Sequence, residues 1–100
     1  MDAPTFIAIV RERAGKGQII YTNHASERMS QRDISRTMVM GCLKQGTATA
    51  PPRHDTDAGG EKCKLTHYMG GVNYEVVVAL HDSIPDAVIV TVINKEDGYV

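Results

Sequence analysis

Glu61-Lys62-Cys63-Lys64-Leu65-Thr66-His67-Tyr68-Met69-Gly70-Gly71-Val72-Asn73-Tyr74-Glu75-Val76-Val77-Val78-Ala79-Leu80-His81 carries the clearest periodicity in the chain. Cys63, Leu65, His67 and Met69 alternate with Lys62, Lys64, Thr66 and Tyr68. A period of two puts each set on its own face of a half-buried strand. Val72, Tyr74, Val76, Val78 and Leu80 repeat the pattern as a wholly apolar face. Asn73, Glu75, Val77, Ala79 and His81 form its mixed counterpart. Gly70-Gly71 between the two runs supplies the positive φ angles of a tight hairpin.

Outward toward the C-terminus, Asp82 to Asp86 is a turn and Ala87 to Asn94 a further strand. Both faces of that strand are apolar, which predicts a central position in the sheet. Val88, Val90 and Val92 are expected inward, with Ala87, Ile89, Thr91 and Ile93 on the other side. Lys95 to Val100 is a polar tail expected to fray.

Toward the N-terminus the period changes. Asp2 to Ala14 is a predicted helix, capped by Asp2, with Phe6, Ile7, Val10 and Ala14 as its apolar stripe. Gly15 and Gly17 end it. Gln18 to Thr22 is a short strand. Asn23 to Arg32 is a second helix, with Asn23 as N-cap and Ala25 and Met29 as apolar contacts. Asp33-Ile34 is a turn, and Ser35 caps a third helix that buries Met38, Val39, Cys42 and Leu43 and stops at Gly46. Thr47 to Ala50 is an edge strand that Pro51-Pro52 terminate. Asp55, Asp57, Gly59 and Gly60 form a flexible connection. The expected fold is α+β: one domain over residues 1–100, with N-terminal helices packed on a small, mostly antiparallel sheet of four to five strands.

One hundred residues with 42% hydrophobic content allow a real but modest core. Eleven basic and 12 acidic residues give a net charge near −1. That balance argues against a strong non-specific nucleic-acid binder and leaves room for a local anion site. Cys42 and Cys63 make no disulfide framework, and buried free thiols in a reducing cytosol are expected. No apolar run is long enough to span a bilayer, so no membrane partner is expected. The N-terminus lacks a basic segment followed by a hydrophobic one, so a cytoplasmic location is expected.

Two chemistries fail on spacing. Cys63 and His67 resemble a ligand pair, but four residues along a strand span ~13 Å, too far to share one metal ion. Cys42 lies on an apolar helix side, and no nucleophile elbow or phosphate-cradling glycine loop occurs. Neither metal nor cofactor is called for.

Metal-free RNA cleavage asks for less: a base, an acid and cations around a phosphate. His24, Arg28 and Arg32 recur at four-residue steps and form one polar stripe at the start of the second helix. The free N–H groups there suit an anion, and Arg28 adds a planar fork of donors. One sheet face gathers Lys62, Lys64, Thr66, Tyr68, Glu75, His81 and Thr91. The candidate catalytic groups are His24, Arg28, Tyr68 and His81, and the candidate phosphate-binding groups are Arg32, Lys62, Lys64 and Thr91. Each has a plain structural alternative. Lysines guard sheet edges, and His24 with the two arginines would simply tie the second helix to a strand or to a carboxylate such as Glu75 or Asp33.

Tyr21-Thr22-x-His24-Ala25-x-Glu27-Arg28-Met29-x2-Arg32-x-Ile34-Ser35 resembles the DUF4258 family of small bacterial proteins, as do Val76-Val77-Val78 and Val90-Thr91-Val92-Ile93. The resemblance runs from about Ile19 to Ile93. That family is distantly similar to RelE/ParE-like and BrnT-like toxins, which pair helices with a small antiparallel sheet. The resemblance implies a RelE-like toxin fold and metal-independent endoribonuclease activity. It also implies RNA or the ribosome as target and a cognate antitoxin as partner. The alternative is a non-catalytic regulatory module, encoded by a phage or mobile element, that docks another protein or a second copy of itself through the sheet.

Overall fold

The computed structural model describes residues 1–55 and 59–96. Asp57 and the end of the expected fraying tail lie outside the described residues. Three helices, α1 (Ala3–Gly15), α2 (Asn23–Gln31) and α3 (Arg36–Gln45), cover one face of a six-stranded mixed sheet. The strands are β1 (Ile19–Tyr21), β2 (Thr47–Ala48), β3 (Arg53–His54), β4 (Glu61–Met69), β5 (Val72–Leu80) and β6 (Ala87–Asn94). The sheet order is β1-β6-β5-β4-β2, with β3 also on β4. Only β1 runs parallel to its neighbour. The α+β class and mostly antiparallel sheet are as expected. The edge strand expected over Thr47 to Ala50 is present as β2; the sixth strand, beyond the expected four to five, is β3, whose two-residue pairing on β4 leaves no periodic signal.

Local chemistry sets the helix ends. Asp2 and Ser35 accept the amides of Thr5 and Met38 and cap α1 and α3. The cap of α2 is Thr22, not Asn23: its hydroxyl accepts from the Ala25 amide at 3.0 Å. Asp33 follows α2 at φ 55°, and the Ile34 amide returns to the Met29 carbonyl at 3.0 Å. This is a Schellman stop with Asp in the left-handed position, closed by the buried Met29 and Ile34 side chains.

The core joins Phe6 and Val10 of α1, Ala25 and Met29 of α2 and Val39, Cys42 and Leu43 of α3 to Leu65, Tyr74, Val76, Val78, Ile89 and Val92 of the sheet. β6 is central, as its two apolar faces predicted. Of Val88, Val90 and Val92, expected inward, only Val92 faces the core. A bulge opposite Val77/Val78 inserts Val90, so Ala87 and Ile89 face the helices before it and Val92 after it. One extra residue reverses the alternation of everything upstream.

Cys42 and Cys63 are buried free thiols. Burial pushes the Cys42 thiol from 9.0 up to about 12. It likewise pushes the Tyr74 hydroxyl, which donates to the Met38 carbonyl, from 10.0 to about 12. The folded chain thus keeps protons that the unfolded chain releases. The stability tied to them is complete below pH 9 and declines as pH rises toward 12. Melting temperature, followed by circular dichroism, is expected to be insensitive to these groups below pH 9 and to fall above it. Tyr74→Phe should melt lower at neutral pH, because Met38 loses its donor at a cost of about 1 kcal/mol, and should show a shallower alkaline fall.

Candidate functional site

No helix covers the second face of the sheet among the described residues, and strand register fixes which side chains share it. One row crosses five strands: Arg53, Lys62, Ala79, Val88 and Ile20. The next holds Lys64, Val77 and Thr91, and the next Thr47, Thr66, Glu75 and Ile93. Tyr68 and Asn73 finish the face at the β4–β5 turn.

A trough of about 480 Å³ opens on this face. Its origin is a pairing mismatch. Ala48 pairs with Leu65 and Arg53 with Lys62, so the four residues 49–52 lie opposite only Cys63 and Lys64 and loop outward. Pro51 and Pro52 suit that loop because neither has an amide to donate to β4. Arg53, Lys62 and Lys64 supply positive charge, Thr49 and Thr91 supply hydroxyls, and Val77 and Val90 are apolar lining.

Arg53 and Lys62 stand directly opposite on adjacent strands. Like charges in that relation destabilise a sheet. Among the described residues neither meets a carboxylate within 4 Å. Lys64 has a long contact to Glu75 at 3.9 Å, with the lysine end exposed and the carboxylate largely buried, and Glu75 has a second cation in Lys95 at 3.8 Å. Because Lys95 also serves that carboxylate, Lys64 can turn to another anion without leaving Glu75 unpaired. The trough therefore offers cations and hydroxyl donors to an anion. Among its described lining residues there is no imidazole or carboxylate. Its one thiol, Cys63, is pushed up by burial, which disfavours the thiolate a nucleophile needs.

The eight candidate residues divide accordingly. Lys62, Lys64 and Thr91 come together in the trough. Tyr68 shares their face beyond its end. His81 points elsewhere: its Nε2 lies 3.4 Å from Oδ2 of the buried Asp55, beside a separate depression of about 230 Å³. His24 is exposed on α2, and Arg28 donates to Oε1 of Gln31 at 2.6 Å. None of His24, Arg28 and Arg32 lines the trough. Arg53 and Thr49 are not among the candidates from sequence: Arg53 is placed by the β3–β4 hairpin register and Thr49 by the loop between β2 and β3.

Arg32 has a structural task. β1 ends at Tyr21, and α2 continues along the edge of β6 that β1 leaves unpaired. Thr22 donates through its hydroxyl to the Ile89 and Val90 carbonyls at 3.0 and 3.2 Å. Arg32 donates to the Val92 carbonyl at 2.8 Å, and Asn94 returns a bond to the Arg32 carbonyl at 3.0 Å. The helix thereby satisfies backbone groups that a longer β1 would have paired. Arg32→Ala is expected to lower the melting temperature by roughly 5–15 °C, the effect of losing about 1–2 kcal/mol in a domain this size. Thermal denaturation followed by circular dichroism checks this.

A family model described as Domain of unknown function (DUF4258) matches residues 21–94. The chain belongs to the DUF4258 family. No curated protein and no solved structure matches it. The family span includes the whole α2 stripe and every residue of the trough, while α1 lies outside it. No helix of the described residues of this DUF4258 protein is long and apolar enough to cross a membrane.

Proposed function

We propose that this DUF4258 protein is a toxin-like RNA-binding protein that holds the ribose–phosphate backbone across its uncovered sheet face. The observation that carries this is the cluster of Arg53, Lys62 and Lys64 with Thr49 and Thr91 around one trough. Three cations within reach of one groove suit successive phosphates, and hydroxyls add orienting donors. The net charge near −1 limits the contact to this patch, so moderate, strongly salt-dependent affinity is expected. The resemblance to RelE/ParE-like and BrnT-like toxins supports RNA or the ribosome as target and a small antitoxin that occupies the same face. Fluorescence anisotropy with a labelled 12-nucleotide RNA tests it. Binding that weakens steeply with salt supports the proposal, and no binding at low salt contradicts it.

Cleavage is a second reading, favoured by one observation: His24 and Arg28 lie a single turn apart on the outer side of α2. In it His24 takes the 2′-hydroxyl proton, Arg28 stabilises the phosphate as the 2′-oxygen bonds to it, and water protonates the 5′-oxygen as its bond to phosphorus breaks. RNA incubated with the protein and EDTA is then cut, and His24→Ala removes the activity while leaving binding intact. Intact RNA under these conditions, with or without ribosomes, leaves binding alone as the function.

A further inference from the structure

Tyr68 is 62% exposed, more than Met1 or Ile20, the other exposed large apolar side chains among the described residues. It lies on the same face of β4 as Lys62, Lys64 and Thr66. Alternate strand residues are about 6.7 Å apart, so the ring stands two steps, about 13 Å, beyond Lys64. On the β5 side of the turn the Glu96 carboxylate accepts the Asn73 backbone amide, while the glycines themselves are uncrowded. Gly70 and Gly71 adopt φ 63° and 78°, and a Cβ on either would meet no atom within 4 Å. Asn73, directly opposite Tyr68, is also exposed and presents an amide beside the ring.

A trough of cations and hydroxyls recognises phosphates whether a strand is paired or not. A flat, water-exposed ring on the same face adds a demand that only unpaired nucleotides meet, because it needs the face of an unstacked base. Without such a ligand the ring gains nothing from its position. We propose that the DUF4258 protein selects single-stranded over double-stranded RNA, with the backbone in the Arg53–Lys62–Lys64 trough and a base stacked on Tyr68. This rests on the RNA-binding reading of the trough. It gives Tyr68 a positioning role in binding rather than that of an acid in cleavage.

The test compares a 12-nucleotide single-stranded RNA with the same strand in a duplex, at matched salt, against wild type, Tyr68→Ala, Tyr68→Phe and Lys64→Ala. The single strand is expected to bind about tenfold more tightly than the duplex, the order of one base–aromatic stack. Tyr68→Ala should lose that preference and leave duplex affinity unchanged. Tyr68→Phe should keep it, because stacking needs the ring and not the hydroxyl. Lys64→Ala should weaken both ligands and reduce their salt dependence. Equal binding of the two RNAs, or a silent Tyr68→Ala, overturns the inference and leaves the phosphate trough standing. Absence of binding to either overturns both. Tyr68 is exposed, so an unchanged melting temperature is the expected control.

Discussion

Replacing Arg53, Lys62 and Lys64 together by alanine is expected to weaken RNA binding by about 100-fold near 0.1 M salt. Each side chain is taken to neutralise one phosphate, and single strands release about 0.7 counterion per contact, so the slope of log affinity against log salt should fall by about 2. The same variant should be no less stable than wild type. Arg53 and Lys62 repel one another across the β3–β4 pair, and the largely buried Glu75 keeps Lys95 at 3.8 Å when its 3.9 Å contact to Lys64 is lost. Lost binding with an unchanged or raised melting temperature separates a binding role from a structural one. If the lysines only guard a sheet edge, affinity stays and aggregation rises. Anisotropy titrations at several salt concentrations, beside a thermal melt, check the outcome.

Gly60→Ala is expected to be the most damaging small substitution. Gly60 sits at φ +93°, and a Cβ there would lie 2.0 Å from the Leu80 carbonyl oxygen and 3.0 Å from the His81 Cα. Both are backbone atoms, so rotamer changes give no relief. Steric collision added to a disfavoured backbone region costs about 3 kcal/mol or more, a melting shift of about 15 °C. Gly60 also accepts the Asp55 amide at 2.9 Å and closes the hairpin that sets Arg53 opposite Lys62. The variant should therefore lose RNA affinity along with stability. Gly15→Ala is the control. Its Cβ would meet nothing within 4 Å at the end of α1, and alanine favours the helix, so the melt should be unchanged or slightly raised.

Strand periodicity carried most of the fold because β4 and β5 have one buried face and one open face. Their alternation and the Gly70-Gly71 turn together set a register that the structure reproduces from Glu61↔Leu80 to Met69↔Val72. β6 was harder to read. Its run of apolar residues satisfies both faces, so nothing in the sequence marks Val90 as the extra residue of a bulge. Residues 47–54 are half legible: the edge strand expected over Thr47 to Ala50 is present as β2, but β3 is not signalled. Two-residue strands have no period, and Pro51-Pro52 signal a break without showing that pairing resumes at Arg53.

The site followed the same division. Lys62 and Lys64 are legible as one group because β4 alternates and has one open face, and Thr91 is the one polar residue of the opposite set on β6. Arg53 required the hairpin register and stayed hidden. The His24–Arg28–Arg32 stripe was read correctly as spacing, but spacing does not say what lies beside a helix. Arg28 turns to Gln31 and Arg32 to the Val92 carbonyl, because α2 runs along β6 and takes up backbone groups left by the short β1.

RNA is proposed to lie over the uncovered sheet face. Titrating the isotope-labelled protein with a 12-nucleotide single-stranded RNA and following amide chemical shifts locates the contact directly. Shifts concentrated at Arg53, Lys62, Lys64, Val77, Val90 and Thr91, extending to Tyr68, are the predicted result. Shifts confined to His24 and Arg28 on α2, or none at saturating RNA, would contradict it.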